Sequence, residues 1–210
     1  KAYALLCSCG FSSAAPRTAM AAESPCQFVS FTGSASGAQF GRALDVSGSR
    51  AAISESTGLA VVRLFERIKC GWEEKAAIVT PNAGIWFGAS VSLYSDRILI
   101  GAPLDDQLGT SAGAAFVFRR TAEAWGLEAK LTAQDGTEHN WFGRCVALDG
   151  DAALIGAPLA DSKGTDSGAA YVFRFDGTTW LQEAKLVASD GIPIDNLGEA
   201  LSLRGDTAVI

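Results

Sequence analysis

The sequence feature that most constrains the fold is an internal repeat with a period of 55 residues. Phe87-Gly88 recurs as Phe142-Gly143, and Gly101-Ala102-Pro103 recurs as Gly156-Ala157-Pro158. Further blocks return in the same register, with 113–118 repeated as 168–173, Trp125 as Trp180, and 128–131 as 183–186. A fixed period of this length indicates a repeat architecture in which every repeat is one supersecondary unit.

Degenerate copies of the repeat flank these two. Phe40-Gly41 opens an earlier copy, and the loop after Ile53 is eight residues shorter there than in the next copy. A later copy begins at Leu197-Gly198 and runs to Ile210. We therefore expect about three repeats plus the start of a fourth, with the chain stopping inside the second strand of that fourth repeat.

Each period divides into four strand-sized apolar runs separated by turn residues. In the clearest copy we predict strands at 142–148, 152–156, 169–175 and 180–187. Two short segments are typical of tight hairpin turns. Asp149-Gly150-Asp151 joins the first strand to the second, and Asp176-Gly177-Thr178 joins the third to the fourth. Four sequential antiparallel strands repeated radially predict an all-β fold, a partial β-propeller of four-stranded antiparallel blades.

The repeat also predicts the domain organisation. We expect residues 1–25 to be a separate N-terminal segment and residues 26–210 to be a propeller fragment. The predicted blades span 40–79, 87–132, 142–187 and, in part, 197–210. The short apolar run after Lys1, followed by small residues at 19–21, is typical of a signal-peptide remnant, although an Ala- and Ser-rich tail without a targeting role would look the same.

The repeated motifs have packing roles in this interpretation. Phe142 is expected to open the innermost strand as an aromatic wedge between neighbouring blades, beside a Gly143 that lets backbones approach closely. The Gly-Ala-Pro block places small residues where blades crowd and ends the second strand with a proline. Trp125 and Trp180 are expected to cap blade edges against the preceding hairpin.

Composition excludes several classes of partner and site. A net charge of −6 with scattered basic residues argues against nucleic acid, whose phosphates require clustered Lys and Arg. No apolar run is long enough for a transmembrane segment. The five cysteines contain no C-x-x-C pair, and no histidine stands at ligand spacing, so a zinc site is not expected.

The quoted blocks resemble the FG-GAP repeat family, which occurs in the heads of integrin α subunits and in many surface proteins. The resemblance covers 40–210 and implies a propeller that binds ligands on one face, formed by the loops between strands two and three and between consecutive blades. That face would comprise 104–112, 134–141, 159–167 and 189–196. The chain departs from integrins because the turns between strands one and two are too short for a D-x-D-x-D-G calcium loop. It therefore resembles the short-hairpin subgroup, and no calcium or other cofactor is expected.

Candidate binding residues lie in these loops. Asp105, Asp106, Asp161 and Asp166 would form a shallow acidic surface for a cation or a basic partner, or would simply be solvated loop carboxylates. Trp141 is an aromatic candidate on the same face. His139 is the only histidine and has no accompanying nucleophile motif, so no catalytic residue is predicted. Arg204-Gly205-Asp206 spells an adhesion tripeptide but is interpreted as a turn.

These observations predict a non-catalytic binding or cell-adhesion module of a secreted or cell-surface protein. Its partner would be a protein or a glycan, bound through the loops of one propeller face. Two alternatives stay open: a carbohydrate-binding propeller that uses Trp86 and Trp141, and an accessory domain of a larger extracellular enzyme.

Overall fold

The computed structural model describes residues 3–8, 27–32, 39–56, 60–69, 71–80, 86–122 and 124–210. All the regular elements in these ranges are β-strands. They are β1 (Tyr3–Ser8), β2 (Gln27–Thr32), β3 (Gln39–Ser47), β4 (Arg50–Ser56), β5 (Ala60–Ile68), β6 (Gly71–Val79), β7 (Val91–Tyr94), β8 (Arg97–Ala102), β9 (Ala114–Thr121), β10 (Ala124–Leu131), β11 (Val146–Asp149), β12 (Ala152–Ala157), β13 (Ala169–Phe175), β14 (Trp180–Leu186), β15 (Ser202–Arg204) and β16 (Thr207–Val209).

The strands form consecutive antiparallel sheets in chain order. Blade 1 is β3-β4-β5-β6, blade 2 is β7-β8-β9-β10, and blade 3 is β11-β12-β13-β14. The hairpin β15-β16 follows as a fourth, partial sheet, and β1 pairs with β2 in a separate two-stranded sheet. The prediction of an all-β, partial propeller with four-stranded antiparallel blades is confirmed. No helix in the described part of the chain is long and apolar enough to cross a membrane.

The innermost strand begins later than the apolar pattern predicts. The predicted strand started at Phe142, whereas β11 begins at Val146. Gly143 has a φ of 90° and turns the chain, while its N–H donates to the Gly156 carbonyl at 2.9 Å. Phe142 instead forms an isolated bridge with Gly113 of the preceding blade. In blade 3 the Phe-Gly motif is therefore a turn before the inner strand, and the backbone joins two blades there, whereas Phe40-Gly41 lies within β3 of blade 1.

Phe87 and Phe142 of this motif are buried between blades, as the wedge interpretation predicts. Phe142 is 1% exposed and contacts Tyr171 and Phe173 of blade 3, with ring centroids 5.4 and 6.0 Å apart. Its apolar cluster also contains Leu99 and Val117 of blade 2. Burying one such aromatic side chain contributes about 3 kcal/mol relative to exposing it. Each blade-to-blade junction is thus a continuous hydrophobic core.

Glycine backbones meet across the same junctions. A Cβ added to Gly143 would overlap the Ala114 carbonyl oxygen of blade 2, and one added to Gly101 of blade 2 would overlap the Gly143 carbonyl oxygen. The contact repeats one blade later between Gly156 and Gly198. The glycines of the Phe-Gly and Gly-Ala-Pro blocks therefore come together between neighbouring blades, where any side chain would push them apart.

Hydrogen bonds join successive inner strands. The Leu93 N–H of β7 donates to the Asp45 carboxylate of β3 at 2.7 Å, and the Leu148 N–H of β11 donates to the Ser92 hydroxyl of β7 at 3.1 Å. The Gly205 N–H, in the turn that follows β15, donates to the Asp149 carboxylate at the end of β11. Inner-strand donors that have no ladder partner are thereby satisfied by the neighbouring blade.

The outer-strand tryptophan also contacts the neighbouring blade. Trp180 was expected to cap its own blade edge, and its ring does lie 5.5 Å from Phe175 in the hairpin before it. However, its indole N–H donates to Glu128 of blade 2 at 3.1 Å. The tryptophan of the repeat is therefore an interblade residue as well as an edge cap.

The segment before blade 1 contributes packing that the repeat pattern does not predict. β1 falls within the predicted N-terminal segment 1–25, where the signal-peptide interpretation stays a prediction, and residues 9–25 lie outside the described residues. The Phe31 ring of β2 lies 4.4 Å from Phe65, on the face of blade 1 that points away from blade 2. Cys145 is half-buried between blades and has no disulfide partner among the described residues.

The glycine contacts predict a large and position-specific effect of a single methyl group. Gly143→Ala should lower the free energy of unfolding by at least about 3 kcal/mol, because the new Cβ collides with backbone of blade 2. Gly126→Ala is the matched control, since Gly126 in β10 has open space at its Cβ position and should change stability by less than about 0.5 kcal/mol. Urea unfolding of the whole chain measures both values, and equal losses would contradict the packing role.

Candidate binding face

Four loops at one end of the blades are joined in pairs by backbone hydrogen bonds. In the first pair, 104–112 and 134–141, the His139 N–H donates to the Thr110 carbonyl at 2.8 Å. In the second pair, 159–167 and 189–196, the Ile194 N–H donates to the Thr165 carbonyl at 2.9 Å. We call these four segments the loop face. Each loop between strands two and three is thus attached to the loop that leads into the next blade.

The loop backbones repeat an unusual conformation at equivalent positions. Trp141 and Asn196 have φ values of 56° and 53°, and His139 and Ile194 have values of 64° and 71°. Residues other than glycine rarely adopt a positive φ, and β-branched ones such as Ile194 do so at an energetic cost. Since two blades share the conformation with different residues, it is set by the paired loops rather than by the side chain. No glycine marks these positions, so sequence patterns could not predict it.

Asp105, a predicted candidate, is buried rather than available to a ligand. It is 2% exposed, and its two carboxylate oxygens accept hydrogen bonds from the Lys130 ammonium at 2.8 and 2.9 Å. Its Oδ1 atom also accepts from the Gln107 N–H. Lys130 comes from β10 and lies 5.2 Å from the centre of the Phe116 ring. The pair therefore anchors loop 104–112 to its own blade.

Two further candidate aspartates organise the loops. The Asp106 carboxylate accepts a hydrogen bond from the Ser111 N–H at 2.7 Å, and the Asp161 carboxylate accepts one from the Asp166 N–H at 2.9 Å. These bonds are equivalent in the two blades and close the same loop turn. Both side chains are nevertheless exposed, so their second oxygens face solvent. Asp166 is half-buried and lies in the turn that Asp161 closes.

The lysine of the second Glu-Ala-Lys block anchors another loop of the face. Lys185 donates to the Asp135 carboxylate at 2.7 Å, and the Gln134 N–H donates to the Gln182 side chain at 3.0 Å. Burial raises the pKa of Asp135, but the Lys185 hydrogen bond and charge outweigh it and hold the pKa below its usual value. The repeated Glu-Ala-Lys block was recognised in the sequence, yet the loop partners of its lysines lie too far along the chain to be inferred.

Trp141 belongs to a packed row of side chains. Its ring centroid lies 5.8 Å from that of Trp86, and the Arg42 guanidinium lies 4.0 Å over the Trp86 ring. Burial and the nearby Arg144 charge lower the pKa of Arg42. Both tryptophans are half-buried. This row joins the entry turns of blades 1, 2 and 3.

The exposed part of the loop face is acidic and carries a few apolar side chains. Its four segments contain eight carboxylates and one lysine. Glu138, Asp190 and Asp195 are exposed alongside Asp106 and Asp161. Ile192 and Ile194 are 62% and 72% exposed. No group of three His, Cys, Asp or Glu side chains that could hold a metal ion occurs among the described residues.

The remaining sequence candidates are His139, which belongs to the loop face, and the tripeptide 204–206, which lies outside it. His139 is exposed, and its backbone, not its ring, bonds within the loop face. The tripeptide 204–206 forms the turn between β15 and β16, where Gly205 has a φ of 58°. That conformation is the one its turn interpretation requires.

The buried ion pair predicts a measurable stability cost. Lys130→Met should lower the free energy of unfolding by about 3 kcal/mol, because it leaves the buried Asp105 carboxylate without its cation. Arg174→Met removes an exposed pair with Glu183 and is the matched control, with an expected loss under about 1 kcal/mol. Chemical denaturation of both variants provides the measurement. An equal loss in both would show that Lys130 does not anchor the loop.

Comparison with known proteins identifies the repeats. A family model described as FG-GAP repeat matches residues 72–118, 125–173 and 180–210. Each match begins at the tryptophan of an outer strand, so the matched unit is offset from the structural blade. No curated protein matches the chain. The three consecutive matches cover more than half of the chain and agree with the blades described above. The chain belongs to the FG-GAP repeat family.

Proposed function

We propose that this chain is a non-catalytic protein-binding module of a secreted or cell-surface protein, and that its loop face binds a basic surface of the partner. The observation that carries the proposal is the concentration of eight carboxylates and one lysine in four loops whose backbones are fixed to the blades. FG-GAP repeats are in general a propeller-like binding module, which supports the binding role. A leader within residues 1–25 would accord with a location outside the cell.

The carboxylates of the loop face have two different roles, and both suit binding. Asp105 and Asp135 are paired with lysines and hold the loops in place, whereas Glu138 and Asp190 are exposed to solvent. Loops that are already ordered lose little conformational entropy when a partner binds. The exposed carboxylates attract a basic partner over distances of about 8 Å at physiological salt.

Apolar side chains on the same face supply the contact energy that charge alone does not. Leu108, Ile192 and Ile194 are exposed, and each would lose water contact in an interface. Burial of apolar area contributes about 25 cal/mol per Å², and charges surrounding an apolar centre are the usual anatomy of a protein interface. The packed Trp86–Trp141 pair gives the glycan alternative less support than these features give a protein partner.

The proposal predicts that neutralising the loop face weakens capture of a partner. The immobilised chain is used to capture proteins from an extracellular fraction, and the association rate of each captured protein is then measured. The double variant Glu138→Gln/Asp190→Asn should reduce that rate about fivefold at low salt. The control Glu183→Gln/Asp206→Asn removes two exposed charges elsewhere and should leave the rate within about twofold.

Two results would contradict the proposal. One is a captured partner whose binding is affected equally by the two double variants, since the binding surface would then lie elsewhere. The other is the absence of any protein that the wild-type chain captures and the loop-face variant loses.

A further inference from the structure

A cleft of about 260 Å³ lies between blades 1 and 2, away from the loop face. Its wall combines residues from both blades, with Leu64 as an apolar side chain and Trp125 as an aromatic one. The charged lining residues are Arg50, Glu66, Lys75 and Arg120. The cleft therefore holds three cations and one carboxylate, in a chain whose net charge is −6.

The equivalent junction between blades 2 and 3 is closed, and the comparison shows why this one is open. There the Arg97 guanidinium lies 4.2 Å over the Phe175 ring and pairs with Glu128 at 2.9 Å, and Trp180 donates to the same carboxylate. Arg97 is 8% exposed and Trp180 is 7% exposed. The aromatic rings thus cover the arginine, and both Arg97 and Trp180 are buried.

Two changes at equivalent strand positions open the first junction. Arg120 is equivalent to Phe175, because Arg120 pairs with Trp125 as Phe175 pairs with Trp180. A cation therefore occupies the position of the Phe175 ring that covers Arg97 at the other junction. Ala76 of blade 1 and Ala129 of blade 2 are at equivalent positions, since they pair with Leu64 and Val117 of the neighbouring strand. The residue before the alanine is Lys75 in blade 1 and Glu128 in blade 2. A lysine therefore stands where the carboxylate partner would be, and a closed ion pair becomes an open cationic cleft.

Glu66, the carboxylate that lines the cleft, does not occupy all of the N–H donors of Arg50 and Arg120. A single oxygen of Glu66 accepts from Arg50 Nε at 3.1 Å and from Arg120 Nη1 at 2.6 Å. Arg50 Nη1 donates to the Ser95 carbonyl at 2.7 Å, and Lys75 pairs with Glu73 at the exposed rim. Since each guanidinium carries five N–H donors, both arginines keep donors for another acceptor. Arg50 and Arg120 are also partly exposed, so an anion can reach them.

We propose that this cleft binds a small organic anion that carries an apolar ring. Its oxyanion would lie between Arg50, Arg120 and Lys75, and its ring would lie against Trp125. Guanidinium groups bind carboxylate and phosphate oxygens through charge-assisted hydrogen bonds, and a ring on an indole wall buries apolar surface. The volume suits a ligand smaller than most drug-sized molecules. The site is independent of the loop face and of the proposed protein partner.

The test measures the binding of phenyl phosphate, the probe, to the whole chain by isothermal titration calorimetry. Lys75→Gln and Arg120→Gln should each weaken binding about tenfold, which is the effect of one charge-assisted hydrogen bond. Glu66→Gln should strengthen binding, because it removes the competing carboxylate. Arg119→Gln is the matched control on the adjacent position of β9, outside the cleft lining, and should bind as the wild type does.

The probes separate the two halves of the proposed ligand. Inorganic phosphate lacks the ring and should bind about tenfold more weakly than phenyl phosphate, and benzyl alcohol lacks the charge and should bind more weakly still. Lys75 is exposed, so Lys75→Gln tests the site even if Arg120→Gln unfolds. The proposal is overturned if wild type does not bind phenyl phosphate at millimolar concentration. It is equally overturned if Lys75→Gln and Arg119→Gln bind it alike, or if Glu66→Gln weakens binding.

Discussion

The structure depends on how closely neighbouring blades approach at the glycines of the two repeated blocks. Gly101 and Gly143 meet with no room for a methyl group, and Gly156 and Gly198 repeat that contact one blade later. The close approach brings Phe142 into the core between blades 2 and 3 and brings inner-strand N–H groups to side-chain acceptors of the preceding blade. It also sets where the loops of one blade meet those of the next.

The loop face follows from this junction. Trp141 before Phe142-Gly143 and Asn196 before Leu197-Gly198 each donate a backbone hydrogen bond to the loop of the preceding blade, so the turn that joins these blades also fixes the loop. Lys130 and Lys185 then pair with Asp105 and Asp135 from the outer strands. A framework that holds loops in a positive-φ conformation without glycine leaves their exposed carboxylates free to face a partner.

Sequence reasoning could predict the blades but only part of the sites. Spaced blocks report strands and turns directly, because turn residues and apolar runs are local signals. It placed the inner strand too early at Phe142, because an apolar run cannot show that Gly143 turns the chain. It treated Asp105 as a surface candidate, since the pairing with Lys130 spans 25 residues. The cationic cleft could not be predicted, because it depends on the strand register that aligns Lys75 with Glu128. The shorter loop of the first repeat obscures that alignment in the sequence.

The central claim is that blade contacts hold the loop face in an ordered conformation, and amide hydrogen exchange in the native state tests it most directly. The His139, Trp141, Ile194 and Asn196 N–H groups all donate to carbonyls of the paired loops. The account predicts that they exchange with protection factors close to those of the sheet amides of β12 and β13. Exchange of these four amides at the rate of an unstructured peptide, with the sheets still protected, would contradict it.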